Sequence, residues 1–421
     1  MSSETSSLER LAPAIRGIAA GILFGALVLA ATFHLDFRQP FIGYGLGGAF
    51  LLFLASKPSV WRIAVVVGLG TVLAASVIRG NYVDVPTLLV QSMGSLGLAS
   101  LFSLGVVIAW RGRGQEPSAY RAFLPGGVLT FLILGAVYSL NMASLLHPRT
   151  FDLYAYVFDG ALGFQPSFLL ARFLKANPWL FPLVKLSYEG IVLAMAALYA
   201  GFMARREKPV WEVIELLFAP AMIGYLFFSV FPVCGPHYAF PLDFPQAYLP
   251  YGMLHRLALE SVPVLTAFPR NGVPSLHMTW ALMIWLNTRG LPRWARILAA
   301  ALVLATLFDT LATGEHYLFD LVVSLPFTLW MQALIVRTVS FRRRERWLPA
   351  LAGCAMFAAW LILCRFGLRW MLISPILPWS LILGSSLLSL VWATRLPAMI
   401  PEMQAQPQIS QPQAMAAAGA N

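Results

Sequence analysis

Two histidines and an aspartate between Phe268 and Asp320 have the residue types and spacing needed for acid–base or nucleophilic chemistry. His316 lies four residues before Asp320 at the start of an apolar segment. A helix would place both on one face, where the carboxylate can hold the imidazole in one tautomer and raise its basicity. His277 begins another apolar segment, in the sequence PSLH. The pattern indicates a catalytic histidine pair, and a satisfied interfacial histidine beside a buried aspartate is the alternative interpretation.

The PSLH element also predicts an anion site. Ser275 is a good helix cap after a proline, and the exposed backbone N–H groups of Ser275 and Leu276 would favour a phosphate beside His277. A simple structural cap is the alternative. With both histidines at one surface, we predict a two-step phosphoryl transfer. His316 attacks phosphorus, Asp320 stabilises the imidazolium, and His277 protonates the leaving oxygen.

The elements that must position these residues are membrane helices. Hydrophobic residues make up 59% of the 421 residues and charged residues only 11%, and the mean hydropathy is +0.74. Soluble domains carry about 25% charged residues, so we predict a polytopic membrane protein. The net charge of +11 is explained by short basic blocks between apolar runs, and we expect no nucleic-acid partner. The three cysteines have no metal-ligand spacing.

Apolar runs predict an all-α bundle of about twelve transmembrane helices. The predicted spans are 11–33, 41–56, 63–79, 86–110, 122–146, 177–202, 211–231, 275–288, 297–314, 316–336, 348–366 and 371–394. Most of the 29 Lys and Arg residues fall in alternate loops, which predicts a cytoplasmic N-terminus and places the histidines on the extracytoplasmic side.

The chain divides into four predicted regions. Residues 1–146 form an N-terminal accessory bundle, 147–336 a catalytic membrane domain, 337–396 a C-terminal hairpin and 397–421 a disordered tail rich in Gln, Ala and Pro. Two long connections, 147–176 and 232–274, fall on the side of the histidines. Both are rich in aromatic residues, so we interpret 151–164 and 244–262 as amphipathic helices lying in the membrane interface.

The segments FPRNGVPSLH and TLATGEHYLFD resemble two signatures of the type 2 phosphatidic acid phosphatase superfamily. FPVCGPHYAF and HPRTFDLYAYVFDGALGFQPS resemble loops of its inositolphosphotransferase branch, which includes inositol phosphorylceramide synthase. The resemblance covers roughly 147–336. It implies a phosphatidic acid phosphatase type 2-like catalytic core, with His277 as general acid and His316, supported by Asp320, as nucleophile.

The sequence departs from the superfamily at its cationic residues. The first signature, KxxxxxxRP, is not evident, and Thr310 replaces the arginine expected six residues before His316. A phosphate needs cationic donors, and Arg270 is the first candidate. The predicted substrate-binding residues are Arg270, Ser275, His237, Tyr317, Arg149 and Lys185. For Arg149 ordinary headgroup contact is an equal alternative, and for Lys185 an ion pair with Glu189 is the stronger one.

These features predict a lipid phosphatase or phosphotransferase in a bacterial inner or plasma membrane. It would act on a lipid-linked phosphate or phosphodiester through a phosphohistidine, without a metal or another cofactor. Its partners are a membrane lipid substrate and an acceptor that is water, a polyol, a sugar or another lipid. A transporter or flippase is the alternative, motivated by twelve spans and intramembrane Lys185, Glu189 and Asp309. A headgroup-binding scaffold without turnover is the third possibility.

Overall fold

A computed structural model describes residues 40–78, 85–112, 114, 116–205, 211–246, 251–257, 259–336 and 338–396. Within these ranges the chain is almost entirely helical. The predicted first span, 11–33, and the predicted tail, 397–421, lie outside the described residues.

Four helices come before the histidine-bearing region and one short strand follows them. They are α1 (Pro40–Ala55), α2 (Val60–Ile78), α3 (Val85–Arg111), α4 (Pro117–Leu146) and β1 (Arg149–Thr150). Seven helices and a second strand come next. They are α5 (Asp152–Ala161), α6 (Pro166–Ala176), α7 (Phe181–Glu189), α8 (Ile191–Met203), α9 (Trp211–Val230), α10 (Pro236–Ala239), α11 (Tyr251–Leu254) and β2 (Val262–Pro263).

The histidines lie on the next group of helices, and a C-terminal group packs behind them. These are α12 (Leu276–Asn287), α13 (Arg293–Ala312), α14 (Leu318–Ile335), α15 (Arg344–Phe366), α16 (Leu368–Met371) and α17 (Ile376–Arg395). Of the apolar helices, α14 is the central one, because 78% of its apolar window is buried against 22–44% for the other long helices. The helix that follows His316 is therefore enclosed by protein.

Seven described helices are long and apolar enough to cross a membrane, or eight if the bent pair α7 and α8 counts as one span. This confirms an all-α membrane protein. The predicted count of twelve is not confirmed. Apolar windows read from sequence included α1 and α12, which are only 16 and 12 residues long, and the window 177–202, where the chain bends by 52° at Gly190.

The long connections fold as packed structure at the site. β1 pairs with β2 in an antiparallel ladder, with Arg149 opposite Pro263, and so joins the two loops. The interpretation of 151–164 as an interfacial helix is wrong, because nine of the ten residues of α5 are buried. Buried polar groups of this helix receive partners inside the protein, which the sequence pattern alone does not show.

Two glycines bring the loop before α10 against the turn that carries His316. Gly235 has φ +107° and Gly314 has φ +76°. A Cβ on Gly235 would lie 2.3 Å from the carbonyl oxygen of Glu315. The backbone N–H of His237 donates to the Gly314 carbonyl at 3.1 Å. This close approach requires glycine at 235, both for its backbone conformation and for space.

Gly235→Ala tests that contact. We expect strain of roughly 1–3 kcal/mol and displacement of the Glu315 backbone, which reduces both the melting temperature in detergent and the turnover. Gly384→Ala in α17 is the matched control, because a Cβ there meets nothing within 4 Å. Equal melting temperatures for the two variants would contradict the prediction.

Candidate active site

The imidazole of His316 lies between two hydrogen-bond partners in the protein interior. Its Nδ1 is 3.2 Å from Asp320 Oδ2, and its Nε2 is 3.1 Å from Ser275 Oγ. All three side chains are fully buried. Because a carboxylate only accepts, Nδ1–H donates to Asp320, and Nε2 accepts from the Ser275 hydroxyl. The nitrogen that could act as a nucleophile therefore faces Ser275.

Ser275 connects the two helices that carry the histidines. It is the N-cap of α12, where its Oγ accepts from the backbone N–H of Met278 at 3.4 Å. Its carbonyl accepts from Ser324 Oγ of α14 at 3.1 Å. The N-termini of both helices therefore meet at the same place. Their N–H groups and dipoles favour an anion there.

His277 lies in the first turn of α12 and packs against an aromatic ring. Its ring stacks on Tyr188 with 3.7 Å between ring centroids and an interplanar angle of 16°. It lines a small apolar cavity of about 120 Å³, together with Tyr225, Phe228 and Trp280. The structure thus joins Ser275, His316 and Asp320 by hydrogen bonds and places His277 two residues after Ser275, while their catalytic roles stay predictions.

Two buried aspartates on α5 hold the site's loops in place, and sequence reasoning missed both. Asp159 accepts from the backbone N–H groups of Leu318 and Phe319, at 2.8 and 3.0 Å. These are the first residues of α14, immediately before Asp320. The N-terminus of a helix offers such donors, and an aspartate complements its dipole. The signal in the sequence was two aspartates seven residues apart in an otherwise apolar segment.

The second aspartate, Asp152, accepts hydrogen bonds from the backbone of the loop that contains Gly235, which we call the glycine loop. Its carboxylate accepts from the backbone N–H groups of Cys234 and Gly235, the latter at 2.9 Å. Burial raises the pKa of Asp152 to about 6, although these backbone hydrogen bonds oppose the rise. Keeping the charged carboxylate buried therefore costs folding free energy, and this cost depends on pH.

Glu315 precedes the candidate nucleophile and accepts from the hydroxyl of Tyr238 at 2.7 Å. Burial raises the pKa of Glu315, while the Tyr238 hydrogen bond and the nearby His316 and His237 oppose this effect. Glu315 had no assigned role in the sequence prediction. It lines a second, open cavity of about 820 Å³.

Arg270, the first candidate for the phosphate-binding cation, bonds to backbone instead. Its guanidinium is fully buried and donates to the carbonyl oxygens of His147, Leu265, Phe268 and Val264 at 2.5–2.9 Å. A phosphate would have to compete with four carbonyls for these donors. The geometry gives Arg270 a role in joining the loops, and its contact with substrate stays a prediction.

The remaining predicted substrate-binding residues lie in three different places. Lys185 and His237 line the open cavity, with Lys185 3.7 Å from Glu189. Tyr317 is fully buried as the N-cap of α14. Arg149 is exposed and bonds to Ser261, across the β1–β2 ladder. The structure therefore places Arg149 on the outside of the loop ladder, and Lys185 and His237 beside the site.

Comparison with known families adds to this geometry. Residues 154–334, less than half of the chain, match the family model described as PAP2 superfamily. This segment is similar to the PAP2 superfamily. It contains His277, His316 and Asp320 and supports the predicted type 2 phosphatidic acid phosphatase superfamily, whereas the inositolphosphotransferase branch stays a prediction. No curated protein and no solved structure matches the chain.

Asp159→Ala tests the hydrogen bonds that hold the start of α14. The change leaves the backbone N–H groups of Leu318 and Phe319 without their acceptor, at a cost of about 1–3 kcal/mol each. We expect a lower melting temperature and a loss of about tenfold or more in turnover, since small displacements of reacting groups are costly. Asp243→Ala, at an exposed loop aspartate, is the control. Turnover and melting temperature like those of Asp243→Ala would refute this role of Asp159.

Asp152→Asn tests whether Asp152 makes the stability of the protein depend on pH. The folded-state pKa of about 6 lies above the ordinary value of 3.8. Asp152 therefore contributes stability below pH 4 that is lost as the pH rises to 6, a change of roughly 3 kcal/mol. The asparagine variant lacks this loss, so it should gain stability relative to the wild type between pH 4 and 7. Melting temperatures across that range measure the difference, and parallel curves would contradict the assignment.

Proposed function

We propose that this protein is an integral membrane lipid phosphatase or phosphotransferase that acts through a phosphohistidine on His316. The similarity to the PAP2 superfamily supports phosphatase or phosphotransferase activity in general. The observation that carries the specific proposal is the buried chain from Asp320 through His316 to Ser275, at the meeting point of two helix N-termini. It combines a held nucleophile with a site for an anion.

In the first step, a phosphate docks on the N–H groups at the start of α12 and displaces the Ser275 hydroxyl from His316 Nε2. The Nε2 lone pair forms a bond to phosphorus, and the bond from phosphorus to the leaving oxygen breaks. Protonated His277 gives its proton to that oxygen. Asp320 stabilises the positive imidazole of the phosphohistidine through Nδ1–H.

In the second step, the oxygen of water or of an alcohol attacks phosphorus, and its proton passes to His277. The bond from phosphorus to Nε2 breaks, so His316 returns to its neutral form and His277 to its protonated form. Neither step uses a metal. Water as the acceptor gives a phosphatase, and an alcohol gives a phosphotransferase.

The surroundings of His277 support a lipid-linked substrate. The apolar cavity beside it is formed mainly by residues of α4, α7, α8, α9 and α12, and only a few of its lining residues are polar. A hydrocarbon chain in this cavity would bring its phosphate to the helix N-termini. The basic residues of alternate loops favour an extracytoplasmic position for the site. Inositolphosphotransferase-like transfer is the finer form of this proposal, supported by the loop resemblance.

His316→Gln tests the mechanism. We expect phosphate release or headgroup transfer to fall by roughly a thousandfold or more, because the amide cannot form the intermediate. His255→Gln, at an exposed loop histidine, should retain wild-type turnover. With ³²P-labelled phosphatidic acid and rapid quenching, the wild type should carry acid-labile label that His316→Gln lacks. Full activity in His316→Gln would eliminate the mechanism.

A further inference from the structure

The open cavity beside the histidines has a charge distribution that does not suit a phosphate. We call this cavity of about 820 Å³ the vestibule. Its titratable acidic and basic side chains are Lys175, Lys185, Glu189, His237, Asp309 and Glu315. The vestibule shares Leu140, Tyr188 and Asn271 with the apolar cavity that reaches His277. It is therefore the polar compartment next to the reacting groups.

The charges in the vestibule are separated by depth. The lysine side chains are exposed, and Lys185 pairs with Glu189. Asp309 is only 1% exposed, and Glu315 is partly buried beside His316. The floor is therefore acidic, and the cations lie towards the rim.

Asp309 has an unused acceptor on this floor. Its Oδ2 is 3.4 Å from Ser187 Oγ, while its Oδ1 has no hydrogen-bond partner in the described part of the chain. Among the described residues, no Lys, Arg or His nitrogen lies within 4 Å of the Asp309 or Glu315 carboxylate. A buried carboxylate without a compensating cation or donor is costly. A ligand that supplies positive charge and donors would remove this cost.

We propose that the vestibule floor is a subsite for an ammonium group, held by Asp309 and Glu315. An ammonium has three donors and no acceptor, which complements an acceptor-lined floor. The rings of Tyr188, Tyr238 and Phe244 line the same cavity and can contribute cation–π attraction. The inference rests on the proposed function, since it names the chemistry of a group beside the transferred phosphate. That group belongs either to the headgroup of the lipid donor or to the acceptor.

The experiment has a donor arm and an acceptor arm, both with purified full-length protein in detergent. The donor arm compares lipids of equal acyl length that carry phosphoethanolamine or phosphoglycerol headgroups. The acceptor arm uses one phosphatidic acid donor and compares ethanolamine with ethylene glycol, and glucosamine with glucose. We expect at least a tenfold preference in kcat/KM for the ammonium compound in one arm, which identifies the source.

Asp309→Asn and Glu315→Gln should reduce that preference to about onefold, because each removes a charge and retains the size of the side chain. Glu345→Gln, an exposed carboxylate at the start of α15, is the matched control and should keep the full preference. The ratio within one variant does not depend on how much of it folds. No preference in either arm, a preference for the neutral compound, or a preference that both variants retain would overturn the proposal.

Failure of the subsite and failure of the proposed function give different results. If phosphatidic acid turnover depends on His316 but no ammonium preference exists, only the subsite is wrong. If turnover persists in His316→Gln, the phosphohistidine mechanism is wrong. The subsite then has its own readout. Ethanolamine phosphate should raise the melting temperature of the wild type and not of Asp309→Asn, whereas glycerol phosphate should shift the melting temperatures of the two proteins equally.

Discussion

The hydrogen bond between Ser275 Oγ and His316 Nε2 is the contact on which the site depends. It joins the first turn of α12 to the segment before α14, and these elements are separated in sequence by the whole of α13. The opposite ends of α12 and α14 are joined by reciprocal amide bonds between Asn287 and Gln332, at 2.9 and 3.0 Å. With polar contacts at both ends, the two helices cannot slide without losing buried hydrogen bonds.

The same constraint explains why α5 is buried. The start of α14 and the glycine loop both present backbone N–H groups towards the interior, and such groups need acceptors. Asp159 and Asp152 supply them from one short helix. Arg270 performs the complementary function, because its donors satisfy carbonyl oxygens of the loops on either side. Buried charge in this domain therefore positions backbone as well as catalytic side chains.

The site is divided between apolar and polar space. His277 faces the apolar cavity, whereas Glu315 and Asp309 face the vestibule, and Tyr188 and Asn271 lie on the wall common to both. A lipid-linked phosphate placed between them would have its chain on one side and its polar groups on the other. This division gives a physical reason for a substrate that is part hydrocarbon and part polar.

The sequence by itself determined the local features. Membrane class follows from composition, and the spacing of four brings Asp320, in the first turn of α14, to His316, which lies just before the Tyr317 cap of that helix. Ser275 as a cap is equally local. The tertiary structure decided the features that depend on distant segments: the carbonyl partners of Arg270, the acceptors on α5, the bend at Gly190 and the acidic floor of the vestibule. Residues more than 80 positions apart form these contacts, and no helical or strand period records them, because loop packing alone brings them together.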